Sequence, residues 1–154
     1  LDTLYEDNPL DVDGTVLLRL NGDVRGVVRS SQIATGEEND LRIAVYGTKG
    51  GFRWEQENPN YLIHLKEGEP YQVLKPGQPY NSEFAQESTK MAPGHPEGIF
   101  DSMGNIYKGA AKSIRKEEIK DGAYPTIRDG VRGMQFIEAA VESSKNGNTW
   151  TDLA

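Results

Sequence analysis

Residues 41–55, LRIAVYGTKGGFRWE, decide the fold of this chain. Apolar side chains occupy every second position around the glycine-rich segment GTKGG, with Ile43 and Val45 before it and Phe52 and Trp54 after it. Alternation with a period of two is typical of a β-strand with one apolar face, and glycines favour a turn between two such strands. The stretch therefore predicts an antiparallel pair of strands.

The same period of two extends outward from this pair, over residues 15–74. Upstream, Val16 and Leu18 alternate with their neighbours, and the Asn-Gly pair at Asn21 is favoured in tight hairpin turns. Downstream, the turn sequences ENPN and EG bound two more short runs. The pattern predicts a meander of about six strands, over residues 16–20, 24–33, 41–46, 52–55, 61–66 and 69–74.

Apolar residues change to helical spacing in the last third of the chain. They predict one helix near residues 97–115 and another near residues 127–145. Thr126, followed three residues later by Asp129, is a start signal for the second helix, and KNGN is an end signal. The apolar stripes comprise Ile99, Met103, Ile106, Tyr107, Ala110 and Ile114 in the first helix and Val131, Met134, Ile137 and Val141 in the second.

Strands followed by helices are typical of the α+β class. We expect an open, mainly antiparallel β-sheet of about six strands with helices packed on one face. Large side chains such as Leu17, Tyr46, Phe52 and Trp54 fall on both strand parities, so one apolar face is left uncovered by the two helices. We expect that face to be a subunit contact in a homo-oligomer, since large exposed apolar patches mark interfaces. The alternative is a sheet with scattered exposed apolar groups.

The composition favours one globular domain over residues 1–154. The net charge of -7 and the lack of a dense Lys/Arg block argue against nucleic acid and anionic membranes as partners, because such surfaces need clustered cations. The chain has no cysteine and two histidines far apart, so we expect no disulfide and no metal site.

The opening residues and the hydropathy of the chain bear on its cellular location. The opening residues 1–14, LDTLYEDNPLDVDG, are acidic rather than signal-like, and the sequence has no apolar run of membrane-spanning length. Together with the lack of cysteine, this predicts a cytoplasmic protein. The first residue is not Met, so we expect the chain to begin within a longer protein.

Several catalytic signatures are missing from the sequence. No G-x-G-x-x-G motif follows a strand, and YGTKGG lacks the spacing and the βαβ context of a phosphate-binding loop. We therefore expect this chain to bind neither NAD nor NADP. Serine has no local nucleophile signature, and two histidines among many carboxylates do not reveal a catalytic pair.

The segment GHPEG, residues 94–98, allows two interpretations. Pro96 suits the first position of a helix, Glu97 complements the positive end of the helix dipole, and His95 falls at the cap. A neutral imidazole at that point accepts a hydrogen bond either from a backbone amide or from a ligand hydroxyl. The segment is thus a helix start or the edge of a binding site, with His95 and Glu97 as candidate ligand contacts.

The loop SQIATGEEND, residues 31–40, is a second candidate. It contains Gln32 at the end of a strand, followed by Glu37 and Asn39. Glycine and acidic residues are common in solvated hairpin loops, whereas a sugar-binding rim uses similar side chains. His64 falls on the polar parity of its strand, which predicts a surface residue without a role.

Three ordered blocks resemble the C-terminal domain of the glucose-fructose oxidoreductase / inositol dehydrogenase family, Gfo/Idh/MocA. They are SQIATGEENDLRIAVYGTKGGFRWEQENPN, MAPGHPEGIFDSMGNIY and YPTIRDGVRGMQFIEAAVESSKNGNTW, and the similarity runs from about Thr15 to Trp150. The resemblance implies a two-domain parent with an N-terminal Rossmann domain that binds NAD or NADP. This chain then forms the walls of a pocket for a sugar, polyol or related hydroxyl or carbonyl substrate, and the oligomer interface.

The family's catalytic motifs are not in this chain. Members carry Glu-Lys-Pro in the nucleotide domain and Gly-x-His-x-x-Asp on a helix near the start of the second domain. LKPG at residues 74–77 has Leu74 in place of the Glu, and GHPEG differs from the second motif. The resemblance implies that the Rossmann domain and the catalytic helix lie upstream, that this chain holds no catalytic residue, and that it is inactive alone. It also implies that Gln32, Glu37, Asn39, His95 and Glu97 stand near the mouth of the pocket.

Two function classes remain open. The chain is either the substrate-side and assembly domain of an NAD(P)-dependent oxidoreductase, or an autonomous binding or assembly module that retains only the sheet domain. An upstream βαβ unit with a glycine fingerprint, followed by Glu-Lys-Pro, favours the enzyme. An initiator methionine in the place of Leu1 favours the module.

Overall fold

The structure is a computed structural model that describes residues 1–4, 7 and 9–153. Residues 5, 6 and 8 of the acidic opening, and residue 154, lie outside the described residues. The chain forms two compact units. The hairpin unit comprises Leu1–Glu37 and Pro125–Ala154, and the sheet unit comprises Glu38–Tyr124.

Among its described residues, the hairpin unit contains two strands and one α-helix. Strand β1 (Asp13–Arg19) pairs antiparallel with β2 (Arg25–Ser31). The predicted Asn-Gly turn connects them as a short 3-10 helix over Asn21–Asp23, in which Gly22 has φ 72°, a conformation that glycine adopts without strain. The hairpin prediction is confirmed.

Helix α3 (Ile127–Lys145) of the hairpin unit has the predicted bounds. The backbone N–H and the hydroxyl of Thr126 both donate to the Asp129 carboxylate, over 2.7 Å each. Asn146 and Gly147 then end the helix by donating to carbonyls of its last turn. The start and end signals in the sequence are therefore confirmed, with the threonine hydroxyl acting as donor.

The sheet unit contains four antiparallel strands in chain order: β3 (Arg42–Gly47), β4 (Gly50–Glu55), β5 (Leu62–Leu65) and β6 (Gln72–Leu74). The turn into β4 uses Gly50, where a Cβ atom would lie 2.5 Å from the carbonyl oxygen of Leu65. Two helices follow: α1 (Glu83–Ser88) and α2 (Ile99–Ile114). The sequence did not predict α1, because six residues are too few to show a helical period.

The α+β class and the antiparallel pairing are confirmed, but the six strands form a two-stranded and a four-stranded sheet instead of one. Strand β2 pairs with β1, and strand β3 pairs with β4. The intervening segment turns at residues 34–37, where Glu37 N–H donates to Ala34 C=O over 3.1 Å. Alternation shows where strands are and does not show which strands are neighbours.

The sheet unit has an apolar face. Cross-strand pairing aligns Val45 with Phe52, Phe52 with His64, and His64 with Gln72, so these side chains lie on one side of the sheet. We call this side the apolar sheet face; its members are Ile43, Val45, Phe52, Trp54, Leu62, His64, Gln72 and Leu74. Val45 is 60% exposed and Phe52 is 42% exposed.

The apolar stripe of α2 has the predicted spacing, and most of it faces solvent in this chain, whereas Ile106 and Ala110 are half-buried. Ile114 is 82% exposed, and Ile99, Met103 and Tyr107 are exposed as well. The packed side of the helix is centred on Gly109, where a Cβ atom would lie 2.7 Å from Ala123 C=O. No hydrophobic side chain of the described residues reaches full burial. Within the same residues, no helix has the length and hydropathy needed to cross a membrane.

Candidate functional site

The segment that carries His95 is a loop between α1 and α2. Helix α2 begins at Ile99, after Gly98, so the predictions that His95 is its cap and that Pro96 is its first residue are wrong. The Asp101 carboxylate accepts a hydrogen bond from Gly98 N–H over 2.9 Å and thus closes the start of the helix. The sequence misplaced this start because proline and an acid suit the residues just before a helix as well as its first turn.

His95 is exposed and is held by one carbonyl group. Its backbone N–H and its ring Nδ1 both lie 3.1 Å from Ala92 C=O, in a turn in which Gly94 has φ 90°. A carbonyl oxygen only accepts hydrogen bonds, so Nδ1 carries the proton. In the neutral imidazole, Nε2 is then an acceptor that suits a hydroxyl donor.

Glu97 lies directly before Gly98, the N-cap of α2, so the prediction that it belongs to the first turn of the helix is wrong. Its Oε1 atom accepts hydrogen bonds from the backbone N–H groups of Lys90 and Met91, over 2.6 Å each. A single carboxylate oxygen thereby ties the start of the loop to its end. Asp101 holds the first-turn position that the sequence suggested for Glu97.

Asn60, from the turn between β4 and β5, binds the backbone of Glu97 twice. Its Oδ1 accepts from Glu97 N–H over 3.0 Å, and its Nδ2 donates to Glu97 C=O over 2.9 Å. Sequence reasoning missed Asn60, because ENPN reads as turn chemistry and its partner lies 37 residues further on. We call the hydrogen bonds among residues 60, 90, 91 and 97 the Asn60–Glu97 junction.

The same loop is also fastened to α2. Asn105 Oδ1 accepts from Lys90 Nζ, and Asn105 Nδ2 donates to Ser88 C=O over 2.8 Å. The loop of residues 89–98 is therefore held at its start by α2 and at its end by the β4–β5 turn.

The other candidate residues fall in two units. Gln32 and Glu37 belong to the hairpin unit, whereas Asn39 lies in the sheet unit with His95 and Glu97. All three are exposed. Gln32 N–H donates to Val12 C=O over 2.7 Å and so extends the pairing of β1 with β2. Among the five candidates, the structure places His95 and Glu97 in one loop.

His64 is half-buried on the apolar sheet face, so the prediction that it falls on the polar parity of its strand is wrong. Its ring stacks on Phe52 with centroids 4.8 Å apart, and its Nδ1 lies 3.2 Å from Gln72 Oε1. Both partners are cross-strand neighbours. The parity of a single strand does not reveal such neighbours.

Sequence reasoning also missed a cleft of about 540 Å³ between α1, α2 and residues 118–123. Lys120 Nζ lies 2.9 Å from a Glu87 carboxylate oxygen and 3.6 Å from one of Glu83. The hydrogen bond from Lys120 holds the pKa of Glu87 below its usual value, and Lys112 and Lys108 add to this effect. The cleft thus contains charges that already pair with one another.

Comparisons with known proteins agree with the fold. The model of the Gfo/Idh/MocA C-terminal domain, described as "Oxidoreductase family, C-terminal alpha/beta domain", matches residues 5–153. The chain belongs to this oxidoreductase family. It is also 32% identical, over 151 residues and 94% of its length, to the uncharacterized oxidoreductase YfiI of Bacillus subtilis.

Two solved structures are similar throughout the chain. An oxidoreductase from Sinorhizobium meliloti is 39% identical over 99% of this chain, with a TM-score of 0.89. An inositol dehydrogenase homolog from Azotobacter vinelandii, complexed with NAD+, is 32% identical over 94% of this chain, with a TM-score of 0.85. This chain spans 38% of YfiI, 44% of the Sinorhizobium chain and 39% of the Azotobacter chain.

Proposed function

We propose that this chain is the C-terminal, substrate-side domain of an NAD(P)-dependent oxidoreductase that acts on a polyol, a sugar or a related hydroxyl or carbonyl compound. The observation that carries the proposal is the family match over residues 5–153. The relative from Azotobacter vinelandii is described as an inositol dehydrogenase homolog and binds NAD+, which supports a polyol substrate and a nicotinamide cofactor.

The cofactor and the catalytic residues belong to the rest of the polypeptide in this proposal. Residues 1–154 contain no dinucleotide fingerprint, and a pyrophosphate group needs a helix N-terminus framed by glycines. The relatives are more than twice as long as this chain, which leaves room for an N-terminal Rossmann domain. This chain then acts as one domain and is inactive alone.

The loop of residues 89–98 is the proposed substrate contact. Its His95 is exposed and keeps an Nε2 acceptor, which is the group needed to bind a substrate hydroxyl. Gln32, Glu37 and Asn39 are proposed as further hydrogen-bonding groups at the mouth of the pocket. For Glu97 we propose a role other than substrate contact, because its Oε1 already accepts hydrogen bonds from two backbone amides.

Homo-oligomer formation through the apolar sheet face is the second part of the proposal. Exposed Ile43, Val45 and Phe52 support it, because burying such an apolar patch against a second copy of the chain lowers the free energy. Two-fold symmetry lets the same face serve both subunits. A cytoplasmic location remains a prediction from the composition.

The upstream coding sequence tests the assignment. The proposal predicts a βαβ unit with a glycine fingerprint, followed by a Glu-Lys-Pro motif and a helix that bears a histidine and an aspartate. An upstream region without a nucleotide-binding fold contradicts the proposal and leaves the autonomous binding module as the function.

A further inference from the structure

We propose that Glu97 and Asn60 are positioning residues that fix the His95 imidazole, with Nδ1 protonated and Nε2 left as the acceptor, through the Asn60–Glu97 junction. Neither side chain needs to touch a substrate for this role. The inference deepens the proposed function, because it specifies how the proposed contact is held. The positioning itself is a property of the residues in this chain and is measurable without a substrate.

The Glu97 carboxylate is bound to the start of its own loop. One carboxylate oxygen binds two consecutive backbone N–H groups, those of Lys90 and Met91, over 2.6 Å each. Hydrogen bonds to an ionised acceptor are shorter and stronger than neutral ones. They fix the path of the chain at residue 91, directly before Ala92.

The second step runs from Ala92 to the imidazole. The carbonyl group of Ala92 is the acceptor for both His95 N–H and His95 Nδ1. The position of this carbonyl therefore determines the ring orientation and the tautomer. Because Ala92 follows Met91 directly, a change at the Glu97 carboxylate is transmitted to His95.

The third step fixes Glu97 itself. Asn60 binds both the N–H and the C=O of Glu97, over 3.0 and 2.9 Å, as one amide group pairs with another. A carboxamide supplies one donor and one acceptor for this purpose, whereas a carboxylate only accepts. Asn60→Asp should therefore lose the bond to Glu97 C=O and keep the acceptor for Glu97 N–H.

Nuclear magnetic resonance of the 154-residue chain tests the positioning. At about pH 8, where an ordinary imidazole is neutral, the ¹⁵N shifts of His95 should show Nδ1 protonated in the wild type. In Glu97→Ala we expect a mixture of tautomers and exchange of the Lys90 and Met91 amides at least about tenfold faster. Glu97→Gln retains a neutral oxygen for both amides and should keep most of the wild-type signature.

Glu67→Ala is the matched control, because Glu67 is an exposed acid in the β5–β6 turn of the same unit. It should leave the His95 signals and both amides unchanged. A Glu97→Ala chain with the wild-type tautomer and wild-type exchange at Lys90 and Met91 overturns the proposal. A further outcome is that Glu97→Gln and Glu97→Ala lose the Nδ1-protonated tautomer and the slow amide exchange to the same extent. That result supports positioning by the charged carboxylate and overturns the expectation that a neutral side-chain oxygen replaces it.

A double-mutant cycle in the full-length enzyme then separates positioning from direct contact. Glu97→Ala should lower kcat/KM about fivefold in the wild type, mainly through KM, and less than about twofold when His95 is already alanine. Full additivity contradicts positioning, because it means that Glu97 acts independently of His95. A full-length protein without oxidoreductase activity contradicts the proposed function, and the tautomer experiment then still decides the positioning.

Discussion

His95 is the residue on which the proposed substrate contact depends. His95→Ala in the full-length enzyme should lower kcat/KM about fivefold, the effect of one lost neutral hydrogen bond of about 1 kcal/mol. The melting temperature should change little, because the residue is exposed and its backbone bond to Ala92 remains. His64→Ala, the control, should do the reverse, since His64 stacks on Phe52 inside the sheet unit. An unchanged kcat/KM with a lowered melting temperature for His95→Ala contradicts the contact.

Asp129 should give the chain a pH-dependent stability. Hydrogen bonds from the hydroxyl and backbone N–H of Thr126 hold its pKa below the usual value of 3.8. A depressed pKa stabilises the folded state above the unfolded pKa, and this contribution is lost as the pH falls through the folded pKa. Asp129→Asn should thus lower urea resistance at about pH 7 and have much less effect at about pH 2. Asp121→Asn, in an exposed turn, is the control; equal losses at both pH values would refute the idea.

At the scale of elements, Gly109 determines how closely α2 packs against the backbone at Ala123. Gly109→Ala places a Cβ atom 2.7 Å from Ala123 C=O, so the backbone must shift, and we expect a loss of about 1–3 kcal/mol in the free energy of unfolding. Gly104→Ala is the matched control in the same helix, with no heavy atom within 4 Å of the added Cβ. That variant should gain about 0.5–1 kcal/mol from helix propensity. Chemical denaturation measures both, and equal effects would refute the close contact.

The elements also show which parts of the fold could be predicted from the sequence. Period-two and helical spacing located all six strands and the helices at Ile99–Ile114 and Ile127–Lys145, because these patterns are local. The split into two sheets, the exposed stripe of α2 and the Asn60–Glu97 junction were missed. Each of these depends on which distant segments meet, and residues 37 positions apart carry no local signal of their contact.

At the scale of the whole molecule, the apolar sheet face should govern self-association. Val45→Lys puts a charge on that face and should raise the dissociation constant of the homo-oligomer at least about tenfold, or about 1.4 kcal/mol. Ala44→Lys is the control, because Ala44 is exposed on the opposite face of the same strand, in register with Arg53. Sedimentation at micromolar concentration measures both. A monomeric wild type, or equal weakening by the two variants, contradicts an interface on this face.

Turnover most directly tests the proposal that this chain is the substrate-side domain of an NAD(P)-dependent polyol or sugar oxidoreductase. The measurement is cofactor reduction by the full-length protein with a panel of polyols and sugars that includes inositol, with the 154-residue chain assayed in parallel. We expect NAD+ or NADP+ to be reduced by the full-length protein in a substrate-dependent manner, and no reduction by the chain alone. Substrate-dependent reduction by the chain alone, or none by the full-length protein with any compound of the panel, would contradict the account.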